Sequence, residues 1–317
     1  MDVSVIIPNY NGEKYIRACL DSLLTQNIGD VPVIVVDNAS ADGSCGIIEA
    51  EYPSVRLIRL DKNYGFSRAV NEGIRAARTE FVILLNNDTR AEADFVSELL
   101  RAIRRDARIF SCQAQMRQMD EPQLLDNAGD FYCALGWALT RGKGKSCAGY
   151  LKEDAVFSAC AGAAIYRKSI FEKIGYFDEK HFAYLEDVDI CYRAKIAGYE
   201  NRYAPRAVVY HKGSASTGSR YNRFKVGSAA RNNLYLIYKN MPFWQILINL
   251  PFLLAGTLIK LLFFTAKGMG GTYLKGLWQG VLLARSGEKV PFLPENFDNC
   301  WRIQLELWKN LARIVKN

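Results

Sequence analysis

Eight cysteines, at positions 19, 45, 112, 133, 147, 160, 191 and 300, form no CxxC pair, and there are only two histidines. This excludes a zinc ribbon and a thioredoxin-type motif; reduced, mostly buried thiols are expected. The first apolar run is followed by Asn9-Tyr10-Asn11-Gly12. That is neither the GxGxxG of a dinucleotide-binding dehydrogenase nor the Gly-rich, Lys- or Arg-bearing loop of a nucleotidyltransferase. Internal repeats and long low-complexity tracts are missing. Met1 leads into a strand-like pattern without the charged start and apolar stretch of a signal peptide, so a chain kept on the cytosolic side is expected. Acidic residues are absent from Asn201 to Asn240, where eight Lys or Arg stand.

That last absence makes the charge lopsided. The formal charge is +8, yet the first 200 residues are net acidic and the rear is strongly basic. A basic rear points to phosphate or anionic lipid, with a solvated basic surface as the plain alternative. Nucleic acid is not expected as a partner. The same rear contains the apolar run Met241 to Ala266, interrupted by Gln245, Asn249, Pro251 and Lys260. It is long enough to span a bilayer, but its prolines and Lys260 favour a segment lying on the membrane. From Asn299 to Asn317, one helical face gathers Trp301, Leu305, Trp308, Leu311 and Val315, with basic residues mostly elsewhere. This is the pattern of an interfacial anchor, or of a helix packed on the protein's own core.

The front half alternates strands and helices. Strands are expected at Val3–Pro8, Val31–Asp37, Val55–Leu60 and Phe81–Leu85. Helices are expected at Glu13–Gln26, Ser44–Ala50, Phe66–Ala77 and Ala91–Arg105. Such alternation, with near-continuous apolar strands, predicts an α/β fold: a Rossmann-like, mostly parallel central sheet flanked by helices. Residues 109–165 are less regular. Beyond them, helices are expected at Lys168–Ile174 and Glu186–Ala197, and a strand at Tyr203–Tyr210. The expected organisation is a catalytic unit over 1–215, comprising a nucleotide-binding half (1–108) and an acceptor-binding half (109–215). A basic, hydrophobic helical region over 216–317 follows as a membrane-associating extension.

Ligands of such sheets bind beyond the carboxyl ends of the strands. There the sequence places Asn9-Tyr10-Asn11, Asp37-Asn38, Asn63 and Asn86-Asn87-Asp88. Asp88 can hold a hard divalent ion through oxygen, or can cap the helix expected from Ala91. Asp37 can accept a hydrogen bond from a base or ribose, or belong to an ordinary turn. Glu186-Asp187-Val188-Asp189 offers carboxylates at a helix start, as caps or as a base for an acceptor hydroxyl. His211 stands at a strand end as a structural histidine or a metal ligand.

Five stretches, VSVIIPNYNG (3–12), VIVVDNASADGS (33–44), NYGFSRAVNEGI (63–74), VILLNNDT (82–89) and GYFDEKHFAYLEDVDICYRAKIAGY (175–199), are ordered and spaced as a set together with His211. With them the chain resembles the family 2 glycosyltransferases of GT-A fold, in their rhamnosyltransferase-like and galactofuranosyltransferase-like branch. The resemblance implies an inverting, metal-dependent transfer from a nucleotide sugar. dTDP-rhamnose is the first expectation and a UDP-hexose or UDP-galactofuranose the next. The acceptor would be a glycan or lipid-linked glycan of polysaccharide or cell-envelope synthesis, at the cytoplasmic face of the membrane. It implies a nucleoside pocket of Pro8, Asn9 and Asn11, with Asp37 at the base. Asn63, Gly65 and Asn71 would lie toward ribose and diphosphate. Asn87 and Asp88 would close a DXD-type motif whose first place is Asn86, leaving Mg2+ or Mn2+ to Asp88 and His211. Asp187 would be the base, with Glu186 beside it, and Gly162 and Ala163 would flank the acceptor. A non-catalytic membrane-bound protein that binds nucleotide sugars is the alternative of a different class.

Overall fold

A computed structural model describes residues 2–213 and 221–314. The front half follows the apolar pattern closely, as β1 (Val3–Asn9), α1 (Ile16–Leu24), β2 (Val33–Asp37), α2 (Ser44–Glu51), β3 (Arg56–Arg59), α3 (Phe66–Ala76) and β4 (Phe81–Leu85). A short strand β5 (Thr89–Ala91) then precedes α4 (Phe95–Ile103). The helix expected from Ala91 therefore starts four residues later. Residues 89–91 pair instead with residues 209–211, a partner 120 residues away that local pattern cannot show.

The region 109–165 holds β6 (Ile109–Gln118), β7 (Leu125–Asn127), β8 (Asp130–Cys133), β9 (Trp137–Thr140) and β10 (Asp154–Val156). Then come β11 (Ala163–Arg167), α5 (Lys168–Ile174), α6 (Glu186–Ile196) and β12 (Glu200–His211). Ten strands form one sheet in the order β10-β12-β6-β11-β4-β1-β2-β3, with β5 on β12 and β7 on β6; β8 and β9 form a separate hairpin. The β4-β1-β2-β3 block is parallel, as expected. The other half is mixed: β11 runs antiparallel to both β4 and β6, while β12 and β6 are parallel. Both faces of the sheet are covered. One core gathers Val3, Val5, Ile7, Leu20 and Leu99, the other Ile6, Val36, Val70 and Tyr166. All eight cysteines are free.

The rear is helical: α7 (Arg223–Asn240), α8 (Phe243–Ala266), α9 (Gly270–Ser286) and α10 (Phe297–Ile314). The boundary expected at 215/216 falls among residues 214–220, outside the described residues, as do Val315 to Asn317. α10 docks on the β8–β9 hairpin, with the amide of Ala134 donating to the Leu307 carbonyl and Asn310 Nδ2 to that of Tyr132.

α8 is turned inside out. Its buried positions are Gln245, Asn249, Leu253 and Gly256, while Phe243 (70% exposed), Leu254, Leu258 and Leu262 face outward. Asn249 and Gln304 of α10 exchange two side-chain hydrogen bonds, 2.7 and 2.9 Å, in a fully buried amide pair. α8 is long and apolar enough to cross a membrane. α10 behaves similarly: Cys300, Ile303 and Leu307 are buried, whereas Trp301, Leu305 and Trp308 are exposed.

Candidate active site

The carboxyl ends of β1, β2 and β4 are tied together by side chains. Asn9 Nδ2 donates to Asp37 Oδ1 at 2.8 Å, and Asn87 Nδ2 donates to Asn9 Oδ1 at 2.8 Å. Next to them, Asn63 Oδ1 accepts from the Gly65 amide and from Asn38 Nδ2, which shapes the turn ahead of α3. Gly65 has φ +86°, and a Cβ there would lie 2.4 Å from the Phe182 carbonyl oxygen. Only glycine lets the 182–185 loop approach this closely. The amide of Phe66 donates to that same carbonyl.

The 182–185 loop is strained: Phe182, Tyr184 and Leu185 all have positive φ, from 61° to 74°. Such backbone persists where surroundings over-determine it, and it gathers at functional sites. Here α7 supplies the hold. Asn232 is fully buried, and its Nδ2 lies 2.8 Å from the carbonyl oxygens of His181, Ala183 and Tyr184. The loop delivers Glu186 and Asp187 at the first turn of α6.

These parts enclose a cleft of about 930 Å3. Of the residues expected at the site, Pro8, Asn9, Asn63, Gly65, Asn87, Asp88, Gly162, Glu186, Asp187 and His211 line it. Four do not. Asn11 is exposed outside the cleft, where its Oδ1 accepts from the Ala41 amide. Asp37 is buried with both oxygens engaged by Asn9 and Ser40, so it aims Asn9. Asn71 is buried on α3 and closes a two-way pair with the Phe177 backbone, at 2.8 and 3.1 Å. Ala163 is spent inside the sheet, opposite Leu85.

Asp88 caps no helix, because β5 intervenes before α4. Its Oδ1 lies 3.2 Å from His211 Nε2, and His211 Nδ1 lies 2.7 Å from Asp126 Oδ2. A carboxylate on one ring nitrogen fixes the ring and aims the other, the usual outer support of a metal-ligating histidine. An oxygen and an imidazole nitrogen converging in this way fit a divalent ion such as Mn2+ or Mg2+. Burial disfavours charge on His211, but the hydrogen bonds its ring donates to Asp126 and Asp88 outweigh it and raise the ring to about 9. Burial also opposes charge on Asp126, while His211 and Lys143 overcome it and hold the carboxyl at about 2.

The same cleft meets a second acid cluster. Asp187, Asp130 of β8 and the Cys160 thiol have their ligand-type atoms within 4.8 Å of one another. Burial, then the charge of Asp187, pushes Asp130 and Glu186 well above the usual carboxylate range. Burial raises Asp187 too, but the Val188 amide donates to its Oδ1 at 2.8 Å. Buried neighbouring carboxyls cannot all ionise. The Val188 amide favours the charged form at Asp187. Asp189, two residues on, faces the other way and is fully buried. It accepts from Arg193, Lys239 and Asn240 at 2.8 to 3.0 Å, and these cations hold it far below its usual value despite burial.

Sequence reasoning missed Asp126, Asp130 and Cys160. The first two bracket a tight turn, Asn127-Ala128-Gly129, in the region where no periodicity was legible. A pair of aspartates around a glycine turn was the available signal.

Known proteins place this geometry. The family model described as glycosyl transferase family 2 matches residues 4–175. A protein of Sinorhizobium fredii, y4gI, is 29% identical over 232 residues, covering 68% of this chain, which spans only 25% of its length. The N-acetylglucosaminyl-diphospho-decaprenol L-rhamnosyltransferase of Mycobacterium tuberculosis is 26% identical over 239 residues, covering 68% of this chain and 77% of that one. Among solved structures, the mannosyltransferase PcManGT of Pyrobaculum calidifontis, in complex with GDP-Man and Mn2+, superposes with a TM-score of 0.56 at 18% identity. The match covers 99% of this chain and 83% of that one. With a mixed sheet whose parallel strands end at an acid-lined cleft, and a family match across more than half its length, the chain belongs to glycosyl transferase family 2 and has the GT-A fold.

Proposed function

We propose that this enzyme moves a sugar from a nucleotide sugar to a hydroxyl of a glycan or lipid-linked glycan acceptor, with inversion at the anomeric carbon. The observation that carries this reading is the presence, within one cleft, of the Asp88–His211 pair and the Glu186–Asp187 pair. dTDP-rhamnose is the first donor to test, with UDP-linked hexose or galactofuranose next. The similarity to the mycobacterial rhamnosyltransferase supports that order, and supports a role in polysaccharide or cell-envelope synthesis.

Pro8, Asn9, Asn63, Gly65 and Asn87 form the donor side, with Asp37 setting Asn9. Asp88 and His211 Nε2 would hold Mg2+ or Mn2+, which would offset negative charge on the diphosphate. Asp187 accepts the proton of the acceptor hydroxyl, helped by burial, which raises its pKa and makes it a stronger base. The acceptor oxygen forms the new bond to the anomeric carbon from the face opposite the diphosphate. The old carbon–oxygen bond breaks, and its electron pair leaves with the nucleoside diphosphate. Asp187 acts as base, without a second carboxylate as nucleophile, so configuration inverts. Gly162 lies against Asn86 on the cleft floor, beside the acceptor.

The outward apolar faces of α8 and α10 support a peripheral or monotopic seat on the cytoplasmic face of the membrane. Thermal-shift measurements with dTDP-, UDP- and GDP-sugars, with and without Mn2+ or Mg2+, followed by transfer assays with and without EDTA, test the reading. A metal-dependent shift with one donor, and transfer abolished by Asp187→Asn, are expected. Binding of a donor without any turnover would leave a sugar-nucleotide binder instead.

A further inference from the structure

Asp130, Cys160 and Asp187 reach one point from three separate elements. Asp130 opens β8, and the amides of Phe157 and Ser158 donate to its carbonyl at 3.0 and 3.2 Å. Cys160 lies two residues further on. Its amide donates at 2.6 Å to Oε1 of Gln113, which is fully buried on β6. Asp187 comes from the first turn of α6. Their donor atoms, two carboxylate oxygens and one sulfur, lie within 4.8 Å of one another. Asn127 Nδ2 donates to Asp130 Oδ1 at 3.2 Å, and the Val188 amide donates to Asp187 Oδ1. Outer hydrogen bonds of this kind aim metal ligands.

The cluster is short of positive charge. Among the described residues, no Lys, Arg or His pairs with Asp130, Asp187 or neighbouring Glu186. Asp189, on the same helix, has both Arg193 and Lys239. Glu186 lines the cleft together with Cys160 and Asp187. It is only 8% exposed, and its Oε2 is buried without a hydrogen-bond partner. A buried acceptor left unsatisfied is costly. The Cys160 thiol has a single proton to donate and cannot serve all these oxygens. A cation at this wall of the cleft meets both needs.

The donor set names the ion. Oxygen-rich sites suit Mg2+ and Mn2+, whereas a thiolate beside carboxylates suits a borderline-soft ion such as Zn2+. Donors around tetrahedral zinc stand roughly 3.4 to 3.6 Å apart, so the three atoms need to close by about 1.4 Å at most. The cleft gives the ion a way in past Cys160 and Asp187, and the thiol proton leaves to solvent as the sulfur binds. We propose that Asp130, Cys160 and Asp187 form a second divalent-cation site, which takes Zn2+ and, when filled, occupies the oxygen with which Asp187 takes the acceptor proton. The site itself stands on the geometry; its inhibitory effect rests on the transferase reading above.

The test is titration of the full, reduced chain with Co2+, a coloured stand-in for Zn2+ whose bond to a thiolate gives a charge-transfer band in the near ultraviolet. The proteins compared are the wild type, Cys160→Ser, Asp130→Asn and an Asp88→Asn/His211→Gln double variant. The wild type is expected to develop a band that saturates at a single Co2+ per chain, and Zn2+, which binds such sites more tightly, should bleach it. Cys160→Ser should lose the band while its circular dichroism stays that of a folded protein. Asp130→Asn keeps the sulfur and should need at least about tenfold more Co2+. The double variant should keep the band at full affinity. No band in the wild type, a band retained by Cys160→Ser, unchanged affinity in Asp130→Asn, or a band lost with Asp88 and His211 would overturn the site. With Mn2+ saturating, Zn2+ should stop wild-type transfer over the concentrations that bleach the band; undiminished transfer there would overturn the inhibitory role. An intact band without transfer from any donor in zinc-free buffer would sink the transferase reading alone.

Discussion

Asp187 and Asp189 are two residues apart on one helix, and replacing each by asparagine should have opposite consequences. Asp189 is surrounded by Arg193, Lys239 and Asn240. Asp189→Asn keeps the shape but leaves the buried Arg193 without its counter-charge, while Lys239 retains only Asp178, at 2.7 Å. Breaking a buried ion pair from one side costs about 3–5 kcal/mol. For a chain of this size that is a fall in melting temperature on the order of 10 °C. The loss reproduces what acid does to the wild type. A carboxyl held below its usual value contributes stability above its unfolded pKa, and that stability is lost as pH falls. Asp187 is the reverse case, since its charge sits among buried carboxyls that oppose it. Asp187→Asn keeps an acceptor for the Val188 amide and removes the repulsion. Stability should stay level or rise by roughly 1 kcal/mol, while turnover falls by about 10²- to 10⁴-fold. Calorimetric melting of both variants, alongside turnover measured well below either transition, separates the effects. If Asp187→Asn destabilises as much as Asp189→Asn, the division between a functional and a structural carboxylate is wrong.

Asp126→Asn should weaken Mn2+ binding by about 10- to 100-fold through loss of the His211 support, read by titration calorimetry; unchanged affinity would remove Asp126 from that role. Asp130 and Glu186 are raised acids, so the stability they allow is present at low pH and lost as pH rises through their folded values. Asp130→Asn should flatten the loss of stability that develops between about pH 4 and about pH 8, and a curve superimposable on the wild type would refute this. Asn232→Ala removes the donor shared by three loop carbonyls and should cost about 1–3 kcal/mol. It should lower turnover more than donor affinity, because the loop places Asp187; an equal loss in both would place its effect elsewhere.

The front of the fold was legible because β1, β2 and β4 are buried on both faces and read as unbroken apolar runs. What failed did so for reasons of distance. Thr89 to Ala91 became a strand because residues 209–211 lie beside it. The strands of 109–165 are mostly three to five residues long and take their partners from far along the chain. α7 was hidden because its buried residues, among them Asn232, Lys239 and Asn240, are partly polar and serve the loop and Asp189. Within the site, the residues at strand ends were found by position alone. Asn71 was not separable from them, since nothing local says that an α3 amide holds the Phe177 backbone.

The inverted face of α8 bears on what keeps this helix attached. In water, its contact with the rest of the chain is helped by the expulsion of solvent from apolar surface. Against acyl chains that help disappears, because the surrounding lipid is as apolar as the helix itself. What persists is independent of solvent: the reciprocal amides of Asn249 and Gln304, the Tyr192 hydroxyl donating to Gln245 at 2.7 Å, and the indole of Trp137 donating to the Gly256 carbonyl at 3.1 Å. These contacts act as rivets that hold equally in both media, so α8 would keep its place on the catalytic unit whether its outward face met water or acyl chains.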